Sequence, residues 1–280
     1  MKINTLLVII FLVLSGNMYV QSPDKDEDNG SYAGCTLYAD PSQTFQDRYL
    51  TNDGLGYVGQ SLLIPDSAVE YGVDVSRWQK NVDWKKLIAD KSPKQLNFCF
   101  IKATEDVNFH DKFYDANCAG ARDCKLKVGS YHFYKQLADP AKQANNFANT
   151  IQIRDGDLLP VLDIEANKID SVTKELWISR EKLIADLTIY ISIVKKKLKC
   201  KHVIIYTSIA FYDNYLAGHF DDEYFWLAKF AKKPPHDFYP SDKKKFICWQ
   251  YTPYGTFNGF EDRKFDLNVM LKKFEKEIAF

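Results

Sequence analysis

From Tyr71 onward the chain alternates between two hydrophobic periods. Short apolar or β-branched runs, the pattern of buried strands, occupy 71–75, 97–103, 126–133, 158–164, 203–207, 224–228 and 246–251. Helical spacing fills the gaps between them. Asp83 is placed to cap a helix over 84–89, and Asp111 a helix over 112–121. Asp139-Pro140, a capping residue followed by proline at the first helical position, leads into 141–153. A long amphipathic stretch covers 173–198, and Ser208 opens a shorter helix ending near Gly218. A repeated strand-then-helix order implies parallel strands with helical crossovers. Seven or eight such strands fit an α/β barrel of the TIM type better than an open sheet. After Gly218 the helical patterns fade, so the last strands are expected to be joined mainly by loops.

The first 70 residues follow other rules. Residues 1–20 read as a signal peptide: Lys2, an apolar stretch over 6–14, then Ser15-Gly16, with cleavage expected between Gly16 and Gln21. That stretch is too short to span a bilayer as a helix, and no later segment qualifies. The expected location is therefore outside the cell or within a secretory or digestive vacuole, away from any membrane once the signal is removed. Residues 21–70 form an acidic N-terminal extension. Its 23–30 portion has the composition of a disordered segment, and Asn29-Gly30-Ser31 is an acceptable glycosylation sequon. Its later apolar pieces, Tyr57-Val58 and Leu62-Leu63-Ile64, are expected to lie against a barrel domain spanning 71–280. A flap, a linker and an inhibitory propeptide are all open readings of this extension.

The net charge of zero conceals an asymmetry. Residues 1–70 carry three basic groups against nine acidic ones, or −6, leaving +6 for residues 71–280. A mildly basic body suits an anionic polymer, but it is too diffuse for nucleic acid, with no basic stripe or stacking motif. The lysine runs at 195–197 and 243–245 read as solvated element ends. Six cysteines follow the signal, an even count that favours disulfides in a secreted chain, with Cys118–Cys124 as a candidate local pair. Their spacing matches no zinc site, and no cofactor is implied.

One segment carries chemistry. In the run 158–165 two carboxylates, Asp163 and Glu165, interrupt a buried-strand pattern near its end. On a strand, residues two apart share a face, with Cα atoms roughly 6.6 Å apart. Two carboxyls crowded among apolar neighbours cannot both ionise freely, so one pKa rises. A protonated carboxyl beside an ionised one is what glycosidic cleavage requires. A barrel places its active site at the C-terminal strand ends, and polar residues gather at the other ends too. They are Asp74, Lys102, Tyr131, Tyr206, Trp226 and Gln250, with Asp266 just before the expected finish of an eighth strand. Acids with interleaved aromatics suit a carbohydrate; the four acids could alternatively hold a divalent metal through oxygen. His132 reads as a structural, hydrogen-bonded histidine, and Trp84 and Trp177 as core.

The ordered motifs resemble one family. Tyr71-Gly72-Val73-Asp74-Val75-Ser76, Phe100-Ile101-Lys102-Ala103-Thr104-Glu105, Val128-Gly129-Ser130-Tyr131-His132-Phe133-Tyr134 and Leu159-Pro160-Val161-Leu162-Asp163-Ile164-Glu165 begin the series. Ile205-Tyr206-Thr207, Trp226-Leu227-Ala228, Trp249-Gln250-Tyr251 and Asp266-Leu267-Asn268 complete it. Together they resemble family 25 glycoside hydrolases, the lysozymes acting as N-acetylmuramidases. The resemblance implies a (β/α)5(β)3 barrel and a monomeric enzyme acting on peptidoglycan glycan strands. It implies Glu165 as general acid/base, Asp163 as its partner, Asp74 and Asp266 as further acids of the pocket, and Tyr131, Tyr206, Trp226, Gln250 and Lys102 as substrate-lining. Two positions depart from the family pattern: Lys102 stands where arginine is usual, and Asp106 where glycine is usual. An inactive glycan-binding barrel and a glycosidase for another N-acetylated glycan are the competing functions.

Overall fold

The structure is a computed structural model and describes residues 69–90, 95–166, 176–230, 246–271 and 276–280. The expected signal peptide, the extension up to residue 68, Cys35 and the second lysine run lie outside the described residues. Strand β1 (Val69–Val75) begins two residues before Tyr71, and Glu70 is held to the barrel by Lys127 at 3.1 Å. Helix α1 (Trp84–Ala89) follows, its first turn capped by Asp83 accepting from the Lys86 N–H. Next come β2 (Leu96–Glu105), the two-residue β3 (Phe109–His110), α2 (Tyr114–Asp123), β4 (Lys127–Phe133) and α3 (Pro140–Thr150). Then follow β5 (Val161–Asp163), α4 (Arg180–Leu198), β6 (Ile204–Ser208) and α5 (Ile209–Phe211), which runs on into a π-helical turn over Tyr212–Leu216. Strands β7 (Tyr224–Ala228), β8 (Phe246–Gly255) and β9 (Phe265–Leu271) finish the sheet.

The strands pair in the order β1-β9-β8-β7-β6-β5-β4-β2-β3, and β1 also pairs with β2. That second pairing closes eight strands into a barrel and leaves β3 as a hairpin partner of β2 outside the ring. A helix follows each of the first five barrel strands, and among the described residues none follows β7, β8 or β9. This is the expected (β/α)5(β)3 architecture.

Large and small residues alternate across the strands to fill the interior. Phe98 lies beside Gly72 and Phe100 beside Gly129 in the strand registers. A methyl group on either glycine would fall within 2.4 Å of Phe98 or 2.3 Å of Phe100, so the two phenylalanines occupy the room the glycines leave. Phe100 in turn stacks on Trp226, with ring centroids 4.4 Å apart and planes 24° from parallel. This floor closes the barrel beneath its mouth. The outward faces of the strands pack on the helices through a larger apolar layer that includes Trp84, Leu87, Phe147, Leu187 and Tyr190.

Several expectations are corrected. The run 158–164 yields only a three-residue strand: Pro160 has no N–H to donate, and the N–H groups of Leu158 and Leu159 turn to Val128 and Ile278. Helix α4 starts at Arg180 rather than Thr173, because Ser179 caps it by accepting from the Lys182 N–H. Strand β9 is antiparallel to both neighbours, so Asp266 lies at its start, not its finish. Trp84 is buried as expected, but Trp177 is 62% exposed. Cys99, Cys118, Cys124, Cys200 and Cys248 are free thiols, so the Cys118–Cys124 pair is not made. Six residues turn a helix by roughly 240° beyond a full turn, which carries Cys124 away from the buried face of α2 that holds Cys118.

Candidate active site

Strand alternation and the barrel's polarity bring the candidate residues together. Asp74 and Asp266 are direct register partners across β1 and β9, which puts the start of the antiparallel strand beside the C-terminal end of the parallel one. Asp163 closes β5, and Ile164 remains extended, its N–H reaching the Tyr206 carbonyl at 3.0 Å. Glu165 therefore projects from just past the strand end rather than from within it. Asp74 and Asp163 are buried, while Glu165, Asp266 and Tyr206 remain partly open at the mouth.

The four carboxyl groups act on one another. Burial, followed by the neighbouring Glu165 charge, pushes Asp163 well above the usual carboxylate range. Two carboxyl groups crowded into one buried site cannot both ionise freely, so one of the pair tends to keep its proton. Burial and then the Asp74 and Glu165 charges raise Asp266 in the same way. Asp163 Oδ1 is buried with no hydrogen-bond partner. A buried acceptor left open costs stability, so its place in an acid-lined mouth marks a position where a ligand N–H or O–H fits.

Asp74 is held differently. The Trp226 indole, which can only donate, gives its proton to Asn268 Oδ1 at 2.8 Å. That fixes the amide so that Asn268 Nδ2 donates to Asp74 Oδ2 at 2.7 Å. Tyr206 OH likewise donates to Gln250 Oε1 at 2.8 Å, and Gln250 Nε2 donates to the same Asp74 oxygen at 2.9 Å. Burial pushes the Asp74 carboxyl up to about 7, against the opposing pull of these two bonds. Both donors meet Oδ2, which leaves Oδ1 to carry a proton or to face a ligand.

The remaining candidates divide by depth. Tyr131 lies in the interior cluster with Phe98 and Trp226, its hydroxyl pKa raised well above normal by burial and then by the Asp74 and Asp163 charges. Trp226 is 2% exposed, sandwiched between Phe100 and Tyr206, and supports the acids from below. Lys102 is 8% exposed, its ammonium 2.5 Å from Glu105 Oε2 and 4.7 Å from the Phe133 ring centre. Lys135 reaches the other Glu105 oxygen at 2.9 Å. Burial favours the neutral Glu105, but the two ammonium groups override it and bring the carboxyl down to about 2. A lysine at 102 thus serves as one half of a two-lysine clasp on Glu105.

Asp106 adopts φ +52° as β2 turns toward β3, accepting from the Val107 N–H. Its usual family replacement, glycine, is the residue that a left-handed turn favours, and aspartate tolerates it better than most. His132 is structural: it meets Thr104 Oγ1 at 2.7 Å and Gln143 Oε1 at 3.2 Å on the outward face of β4, and burial lowers its pKa to about 3. Asn268 was absent from the residues expected at the site. Its place in the Asp266-Leu267-Asn268 motif, two residues after Asp266 on the same face of a strand, was the signal that could have pointed to it.

A closed barrel whose mouth gathers Asp74, Asp163, Glu165 and Asp266 has the layout of a barrel glycosidase. The comparisons with known proteins give the family. The family described as Glycosyl hydrolases family 25 matches residues 73–260. The uncharacterized protein YegX of Escherichia coli is 29% identical over 221 residues, covering 79% of this chain and 76% of its own. Lysozyme M1 of Streptomyces globisporus is 28% identical, over 69% of this chain and 65% of its own. A family 25 glycosyl hydrolase structure from Bacillus anthracis superposes with a TM-score of 0.65 at 28% identity, covering 79% of this chain and 98% of the other. The chain belongs to glycosyl hydrolases family 25 and is a glycoside hydrolase.

Proposed function

We propose that the protein is a secreted lysozyme that hydrolyses the β-1,4 bond between N-acetylmuramic acid and N-acetylglucosamine in peptidoglycan, with retention and assistance from the substrate's acetamido group. The observation that carries this reading is the orphaned Asp163 Oδ1 beside Glu165. An acetamido N–H of the muramic acid residue satisfies that acceptor. Held there, the acetamido oxygen attacks the anomeric carbon while Glu165 gives its proton to the departing glycosidic oxygen. The bond to the N-acetylglucosamine O4 breaks, a cyclic oxazolinium ion forms, and the leaving sugar departs as an alcohol. Water then adds to the anomeric carbon, Glu165 takes its proton, and the acetamido group is restored.

Asp163 is favoured as helper over nucleophile because it ends β5 two residues before the general acid, on the same side of the bond. Asp74, aimed by its two amides, and Asp266 complete the acid wall of the pocket and offer hydrogen bonds to the substrate. Tyr131, Tyr206 and Lys102 shape the pocket. Replacing the N-acetyl group of the reacting sugar by hydroxyl tests the assistance directly: such a substrate is expected to be almost inert, and ordinary turnover would assign the attack to Asp163.

A further inference from the structure

A groove that the acid site does not use lies between residues 136–140, after β4, and residues 177–179, just ahead of α4, and extends to the first two turns of α4. Its volume is about 490 Å³. Leu137 and Trp177 line it and are 55% and 62% exposed, both well above what side chains of their size usually show. Lys182 and Asp186, paired at 2.6 Å, form its polar side. Gln136 forms the wall shared with the catalytic cleft. Its Nε2 donates to the Glu165 carbonyl at 2.5 Å, and its own Oε1 is buried without a partner.

We infer that this groove is a distal sugar subsite, in which an N-acetylated sugar of the same glycan strand lies on the Trp177 ring, away from the scissile bond. The inference rests on the glycan-hydrolase reading above and extends it. Three features fix the occupant as a saccharide. An exposed indole offers a flat face to the C–H side of a pyranose or to an acetamido methyl group. The unpartnered Gln136 oxygen accepts an N–H or O–H, both of which such a sugar carries. The groove adjoins the backbone of Glu165 through one side chain, so a strand in the cleft needs no separate path to reach it. Because Gln136 contacts both places, occupation of the groove also steadies the segment that carries the general acid.

The test uses the full-length protein carrying Glu165→Gln, so that strands bind without being cut. Calorimetry compares long glycan strands, stripped of their stem peptides, with a tetrasaccharide. Long strands are expected to bind about tenfold more tightly, equivalent to 1.4 kcal/mol. Trp177→Ala is expected to remove that length advantage, and Trp177→Phe to restore part of it. An advantage unchanged by Trp177→Ala overturns the inference while leaving the glycan-hydrolase reading intact. An advantage that appears only with stem peptides attached overturns it in favour of a peptide groove. Binding of neither ligand, together with no lysis by the unsubstituted protein, contradicts the glycan-hydrolase reading itself.

Discussion

Among the acids at the barrel mouth, Glu165 and Asp74 differ in what surrounds them, and each difference has a measurable result. Glu165→Gln keeps the shape and loses the transferable proton. Turnover is expected to fall by roughly a hundred- to ten-thousandfold, with glycan affinity retained, in a lysis assay paired with a binding assay. An unchanged phenotype would mark the barrel as a binding module. Asn268 stabilises the ionised Asp74 by donating to it. Asn268→Ala is therefore expected to raise the Asp74 pKa further, because the ionised carboxyl loses a donor that favours it. The corresponding limb of the pH–rate profile should move to higher pH.

The Asp74 shift also has a consequence for stability. Its folded-state pKa of about 7 exceeds its ordinary 3.8, so the folded protein binds the extra proton between those values. Its contribution to stability then falls as pH rises through that window. Asp74→Asn should raise the melting temperature more at pH 8 than at pH 4, measured by calorimetry. Glu105 works in the opposite direction. Held down to about 2 by its lysines, it stabilises the fold above its ordinary 4.5 and loses that contribution as pH falls toward 2.

At the scale of elements, the glycines of β1 and β4 transmit packing to the site. Gly129 makes room for Phe100, Phe100 supports Trp226, and Trp226 holds the amide that aims Asp74. Gly129→Ala overpacks this column. It is expected to cost about 1–3 kcal/mol in urea unfolding and to lower activity without altering any carboxylate. These elements were legible in the sequence to different degrees. The caps at Asp83 and Asp139 announced α1 and α3, whereas Asp111 accepts from the Arg77 and Phe113 N–H groups and α2 begins only at Tyr114, without a side-chain cap. Strand β5 was overextended because Leu158 and Leu159 are as apolar as strand residues, yet their N–H groups bond outside it. The direction of β9 could not be read from a short run flanked by loops, since parallel and antiparallel strands share the same alternation. Thus Asp266 was placed at the correct end of the barrel from the wrong end of its strand.

On the whole-molecule scale, the barrel followed from the alternation of periods, and the acids followed from the rule that function lies at the C-terminal strand ends. The tertiary network did not. The lock on Asp74 joins residues separated by up to 194 positions, and no local pattern carries that pairing. Exposure was likewise hidden for Trp177, because an aromatic in an irregular segment reads as core until the loops are placed. The acidic extension and basic barrel predict one property of the entire chain. If the extension covers the barrel, removing residues 21–68, which spares β1, raises the wall-lysis rate at low ionic strength and the difference disappears at high salt; equal rates at low salt exclude an inhibitory role.

Mass spectrometry of the products released from defined peptidoglycan identifies the bond that the enzyme cuts. Muropeptides ending in reducing N-acetylmuramic acid are the predicted result. Fragments ending in reducing N-acetylglucosamine, or intact glycan with only peptides released, would contradict the account.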